Sequence, residues 1–284
     1  IGIDISKRKL DVALLLDPER LRKRSRVFAN TAEGYEQLVA WCCKQTRLEP
    51  GQLHAVLDAT GPYHQALARA LYEAGLTVSV CNPKQVKDFL KGLGVKAKND
   101  AMDALGLARY GAQAHPRVWQ PDPPELRELQ ALIHRLEAVE QDLQRERNRQ
   151  EKAQISQAAE LVLASLSSSI EFLEHQRDQL QHQIDDHIDR YPRLKADRQR
   201  LRSIPGVGSV LSSLMVALLS STERFTSAPQ LASYLGVIPT EATSGTSVRA
   251  RPHMAKTGPA KVRAKLYMAC LNATRFNPDI KAFY

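Results

Sequence analysis

The sequence is poor in sulfur chemistry. Its four cysteines are Cys42, Cys43, Cys81 and Cys270, with no Cys-x-x-Cys among them. Neighbours such as Cys42 and Cys43 are badly placed to bridge each other. Neither a disulfide framework nor a zinc site is expected, and reduced thiols fit a cytoplasmic protein. No run of eighteen apolar residues exists, which argues against a membrane-spanning helix, and the N-terminus does not read as a signal peptide. Acid is in deficit: 40 Lys and Arg against 31 Asp and Glu leave a formal net charge of +9. That balance points to a polyanionic partner, nucleic acid first; the plain alternative is a solvated cationic surface. What is present suffices for a folded core. With 43% hydrophobic residues among 284, the chain can form two compact domains, or two domains joined by a long helical element. It opens at Ile1 without Met, inside a strand-like run, and ends at Tyr284 just after Asn277-Pro278, so both ends read as trimmed.

Three segments follow one another. Residues 1–118 alternate strands and helices. Ile1-Gly-Ile-Asp-Ile5 alternates, with isoleucines on one face and Gly2 and Asp4 on the other. Leu10–Leu16, Leu53–Leu57 and Leu76–Val80 are further strands. Asn30, with Glu33 three residues on, predicts a capped helix, and another runs from Tyr63 to Ala74 before Gly75. Asn82-Pro83 starts a third, with Pro at its first position. This alternation predicts an α/β domain. Residues 119–200 begin with Pro121, Pro123 and Pro124 and continue with two apolar series, Leu126, Leu129, Ile133, Leu136, Leu143 and Leu166, Ile170, Leu173, Leu180, Ile184. Two long helices in a coiled coil are expected, as an antiparallel pair within the chain or as a dimer zipper, with Ser165–Ser169 a hinge or polar helix surface. Residues 201–284 form a mainly α domain. Ile204-Pro-Gly-Val-Gly208 lies between helical patterns like a helix-hairpin-helix turn, where backbone N–H groups meet a phosphate. From Arg249 to Lys265 stand Arg249, Arg251, Lys256, Lys261, Arg263 and Lys265, with no acid between them. Gly245, Pro252, Gly258 and Pro259 make this segment a loop suited to phosphate contacts rather than a solvated helix face.

Four carboxylates stand out by position. Asp4 is on the first strand, opposite the isoleucines, and Asp58 ends a later strand. Asp100 and Asp103 share a helix face if Asn99 caps a helix there. An isolated pair of helix acids is usually surface, but strand-end acids joined to such a pair in an α/β domain describe a metal centre. Clustered carboxylates repel and either take up protons or bind a cation. Hard oxygen ligands select Mg²⁺, or Mn²⁺.

The strings Ile1-Gly-Ile-Asp4, Asp58-Ala-Thr-Gly-Pro-Tyr63 and Lys98-Asn-Asp-Ala-Met-Asp103-Ala resemble the DEDD transposases of bacterial insertion sequences, a family with Piv-type invertases and bridge-RNA-guided recombinases. Ile204-Pro-Gly-Val-Gly208, Tyr234-Leu-Gly-Val-Ile-Pro239, Ser244-Gly245 and Lys256-Thr-Gly258 with Arg263 agree, in order along nearly the whole chain. The resemblance implies an RNase H-like, RuvC-like domain over 1–118, a coiled coil over 119–200, and a transposase domain over 201–284 bearing a nucleophilic serine. It implies Asp4, Asp58, Asp100 and Asp103 as catalytic metal ligands; the family carries Glu where this chain has the shorter Asp58. The serine maps onto Ser244, with Ser247 the second candidate. Donor and target DNA, a guide (bridge) RNA, a dimer or tetramer, and a nucleoid-associated cytoplasmic location are implied as well. Two other readings use the same residues: a junction-resolving nuclease acting by hydrolysis, and a non-enzymatic DNA-binding scaffold.

Overall fold

The structure is a computed structural model. It describes residues 1–17, 20, 22–59, 61–94, 100–220, 225–240, 243–244, 248–249, 251–256 and 258–283. The chain divides into two compact units, Ile1–Pro121 and Asp122–Tyr284.

The first unit runs β1 (Gly2–Ile5), β2 (Lys9–Asp17), β3 (Arg22–Ala29), α1 (Ala32–Thr46), β4 (His54–Asp58), α2 (His64–Glu73), β5 (Thr77–Cys81), α3 (Pro83–Gly92) and α4 (Asp100–Ala114). The strands form one mixed sheet in the order β3-β2-β1-β4-β5. β1, β2 and β3 pair antiparallel, while β4 joins β1, and β5 joins β4, in parallel. Strand alternation gives the sheet two faces. On one, Ile3, Ile5, Leu10, Val12, Leu14 and Phe28 meet Leu38 of α1 and Leu67 and Leu71 of α2 in the main core. On the other, Ala13 packs with Ala104 and Leu105 of α4.

One strand has no sequence signal, and one local expectation is corrected. Arg22–Ala29 carries no apolar alternation, yet it forms β3 by laddering to β2, from Lys9 opposite Ala29 to Asp17 opposite Arg22. Cross-strand backbone pairing holds its charged stretch in place, with Phe28 the one side chain that anchors it in the core. The cap of α1 is Thr31, whose hydroxyl accepts from the Gly34 amide at 3.2 Å. Asn30 instead ties the strand ends together: its amide donates to the Ser6 carbonyl at 2.9 Å, and it accepts from the Tyr35 hydroxyl. The expected cap of α3 is present, with the Lys84 amide donating to the Asn82 side chain at 2.9 Å. Asn99 lies outside the described residues.

The second unit runs α5 (Pro124–Ile155), α6 (Glu160–Arg190), α7 (Pro192–Arg202), α8 (Ser209–Leu219), α9 (Ala228–Leu235), β6 (Pro239–Thr240), β7 (Thr243–Ser244), β8 (Val248–Arg249), β9 (His253–Met254), α10 (Ala260–Phe276) and α11 (Pro278–Phe283). α5 and α6 form an antiparallel pair within the chain. The His187 ring donates to the Glu125 carbonyl at 2.7 Å at one end, and Gln150 donates to Ser167 at 3.0 Å toward the other. Leu126, Leu129, Ile133, Leu136 and Val139 meet Leu180, Ile184 and Ile188, and Val216 and Ala217 of α8 close this core. Ser165–Ser169 lie inside α6, so they are helix surface and not a hinge. The Ile204–Gly208 segment does join two helices, α7 and α8. Gly206 needs its φ of +97°, and a Cβ there would come within 3.0 Å of the Ala269 carbonyl of α10. Among the described residues no helix is long and apolar enough to cross a membrane.

Candidate metal centre

The first unit gathers the predicted acids on the α4 face of its sheet. Asp4 sits on β1 directly opposite Asp11 of β2. Asp58 ends β4, the parallel neighbour of β1. Asp100 and Asp103 occupy the first turn of α4. The helix can lie on this face because Gly2 has no side chain. A Cβ at Gly2 would stand 2.0 Å from the Ala104 carbonyl oxygen and 2.3 Å from the Ala108 nitrogen. Farther along α4, a Cβ at Gly111 would stand 2.4 Å from Val56 of β4. Two glycines, one on the strand and one on the helix, therefore set the distance between the acids of β1 and those of α4.

The carboxylates sense one another. The Asp4 carboxyl is pushed up to about 6, first by burial and then by Asp58, Asp100, Asp103 and Asp11. One oxygen each from Asp4, Asp11 and Asp100 lies within 4.8 Å of the other two. Asp58 and Asp103 act on Asp4 through charge without joining that tighter group. Of the four predicted acids, Asp4 and Asp100 join Asp11 in the tight group, while Asp58 and Asp103 stand on the same face, near enough to act on Asp4 by charge.

Two residues here escaped the sequence reading. Asp11 is the fifth carboxylate, and Lys9 lies beside it. The Lys9 ammonium donates to Asp100 Oδ2 at 2.7 Å and stands 2.9 Å from Asp11 Oδ2. The pair raises the Lys9 pKa, and the ammonium holds the Asp100 carboxyl below its ordinary value. Asp11 was legible as an acid set between Leu10 and Val12 in an apolar strand. Lys9 carried no signal of its own, because only the fold brings it to Asp100, 91 residues away. An all-carboxylate donor set, crowded enough to raise one member's proton affinity, fits a hard divalent ion.

The second unit places the remaining predicted residues. Ser244 pairs with Val248 in the β7–β8 hairpin, and Thr243 with Arg249. The side chains of Ser244 and Arg249 lie outside the described set, as do Gly245 and Ser247 entirely. The hairpin sits inside a second ladder, β6 with β9, in which Thr240 pairs with His253. Two motifs read separately in the sequence meet here. Gly258 closes on the end of α9, where a Cβ would be 1.9 Å from the Tyr234 carbonyl oxygen, and the Lys256 amide donates to the Gly236 carbonyl at 3.1 Å. The basic segment is a loop only in part: Arg251 and Lys256 precede α10, whereas Lys261, Arg263 and Lys265 are on it. Helix resumes after Pro259, a good first-turn neighbour that a loop reading takes for a breaker. Lys261 pairs with Glu137 at 2.8 Å and Lys265 with Glu140 at 3.6 Å. Arg263 donates to the Leu235 and Gly258 carbonyls, fastening α10 to α9.

A mixed β3-β2-β1-β4-β5 sheet, with acids on its first strand, on the end of the adjoining parallel strand and on a covering helix, defines an α/β domain compatible with the RNase H-like class. Residues 1–157 match the family model for DEDD transposases of the IS110 type, and residues 198–284 match the model described as transposase, IS116/IS110/IS902 family. The chain belongs to the IS110 family of DEDD transposases. It is 31% identical over 268 residues to the pilin gene-inverting proteins of Moraxella lacunata and Moraxella bovis, spanning 94% of this chain and 80% of each relative. It is also 26% identical over 222 residues to a probable family 20 transposase of Pseudomonas aeruginosa, over 66% of this chain and 62% of that protein. Membership makes it a transposase or DNA invertase with DNA as substrate.

Proposed function

We propose that the chain cuts and rejoins DNA strands by phosphoryl transfer through a covalent phosphoserine. Asp4, Asp58, Asp100 and Asp103 hold the divalent ion, Mg²⁺ or Mn²⁺, and Ser244 is the nucleophile, with Ser247 the second candidate. The observation that carries this reading is the convergence of carboxylates from β1, β4 and α4, felt at Asp4 as a proton affinity raised to about 6. A bound divalent ion supplies Lewis-acid stabilisation of charge on the attacking and leaving oxygens. The chain's own part is to position and to exchange. The Ser244 Oγ–phosphorus bond forms as the strand's ester oxygen leaves and takes up a proton. Attack by the hydroxyl of a second strand then reverses the step and returns the proton to serine. The phosphodiester bond energy is conserved, which hydrolysis would lose.

Under this reading residues 1–118 are a RuvC-like catalytic domain, residues 119–200 a coiled-coil spacer, and residues 201–284 the serine-bearing transposase domain. Arg249, Arg251 and Lys256 hold the DNA backbone, with Lys261, Arg263 and Lys265 of α10, engaged within the second unit, contributing less. A bridge RNA selects donor and target by base pairing while the protein reads backbone and shape, and the active assembly is a dimer or tetramer.

The test is a denaturing-gel assay on the full chain with Mg²⁺ and labelled DNA. A protein–DNA adduct is expected, absent in Ser244→Ala and in Asp103→Asn. Free nicked ends with undiminished cleavage by Ser244→Ala would establish the hydrolytic nuclease instead.

A further inference from the structure

β3 has no part in the chemistry, yet it carries four basic residues that make no ion pair among the described residues. Arg22, Lys23, Arg24 and Arg26 lie within five consecutive positions of an edge strand, all exposed. Among the described residues none of the four forms an ion pair; the nearby Asp17, opposite Arg22 in the ladder, pairs with Arg20. Alternation puts Arg22, Arg24 and Arg26 on one face with Phe28. That face is the α1 side. Arg24 donates to Gln45 of α1, and the Arg26 guanidinium stands 5.1 Å over the Phe28 ring, which packs in the core against Trp41. Asp11, opposite Val27, looks to the other side. The arginine row and the acidic centre therefore occupy opposite faces of one sheet.

We infer that this row is a docking rail for a DNA backbone segment other than the strand undergoing reaction. Alternate strand residues stand about 6.8 Å apart, so three arginines span about 14 Å, the axial rise of roughly four nucleotides of one duplex strand. Guanidinium forks suit phosphate oxygens better than ammonium groups do. The simpler explanation is an edge strand kept charged so that it cannot pair with another sheet. One or two lysines accomplish that. Here three guanidiniums form a row, two of them steadied by a bond or a ring beneath, which is the preorganisation a ligand site needs. The rail rests on the proposed DNA recombination, DNA being the substrate that family membership implies. Its position away from the acidic face makes the bound segment flanking or second-site DNA.

The test compares the full chain with R22Q/R24Q/R26Q and with the matching triple lysine variant. Affinity for a long fluorescein-labelled duplex is measured across a salt series, alongside an RNA hairpin and light scattering. The glutamine variant is expected to lose about three units from the slope of log affinity against log salt, with the lysine variant near the parent. Should the triple variant unfold, Arg24→Gln and Arg26→Gln singly must each lose about one unit. An unchanged slope accompanied by self-association would reduce the row to an edge guard and overturn the rail. A loss seen with RNA alone would overturn its assignment to DNA. Failure of the serine adduct with the slope loss intact would defeat the proposed chemistry and leave the rail standing.

Discussion

At Asp4, burial of a carboxyl on a packed strand and the charges of four neighbouring carboxylates push in the same direction. In the metal-free protein the folded state holds this proton up to about pH 6, whereas an unfolded Asp releases it near 3.8. Between those values the folded chain binds more protons than the unfolded one, so stability declines as pH climbs through that window, and the loss persists above it. Asp4→Asn removes the charge. In EDTA at pH 7.5 the variant should melt above the parent, and added Mg²⁺ should raise the parent's Tm but not the variant's. A variant that melts below the parent in EDTA and still responds to Mg²⁺ would take Asp4 out of the centre. Lys9 poses the complementary case. Its ammonium occupies an oxygen of Asp100, a proposed ligand, and one of Asp11 beside it. Lys9→Met should therefore tighten Mn²⁺ binding by a factor on the order of 5, and Lys9→Arg should not. Calorimetric titration of the three proteins reads this directly; weaker binding by the methionine variant would show that Lys9 positions the acids rather than competing for them.

At the scale of elements, the centre depends on how closely α4 lies on β1. Gly2→Ala forces a Cβ into the backbone of Ala104 and Ala108, which cannot yield as a flexible side chain could. The expected cost is about 1–3 kcal/mol in urea denaturation, the range for overpacked cores. Because the helix must shift, Mn²⁺ binding should weaken as well. Full stability and full binding in that variant would contradict the packing described. The α5–α6 pair obeys a different rule. Leu129 is wholly buried between helices, so Leu129→Ala should cost about 2–5 kcal/mol through lost burial and a cavity, with the acidic cluster of the first unit unaffected. β3 shows the limit of reading elements by pattern. Its Arg-Lys-Arg-Ser-Arg core has no apolar period, and it is a strand only because β2 offers it a ladder.

For the whole molecule, a net charge of +9 sets the expectation of salt-sensitive DNA binding. The fold divides that charge unevenly. Lys261 and Lys265 answer Glu137 and Glu140 within the second unit, whereas Arg251 and Lys256 stand exposed ahead of α10. Replacing Lys256 by Ala should lower the salt slope by about one unit, and replacing Lys261 by clearly less, in the same titration. Equal losses would mean that the internal ion pairs open on binding.

The sequence by itself determined the strands and helices of the first unit other than β3, the two long helices with their apolar series, and four acids that the fold gathers on one face. Those features are local: a period of two or 3.6, a cap, a carboxylate at a strand end. It also carried the family, because the motifs stand in order along the chain. Only the tertiary structure decided that Asp11 joins the acids and that Lys9 reaches Asp100. It also paired α5 with α6 within the chain, and ended the basic loop in a helix whose lysines are already engaged. Each of these rests on contacts between residues tens of positions apart. Side-chain spacing along a chain says nothing about which distant partner burial and backbone pairing will bring alongside.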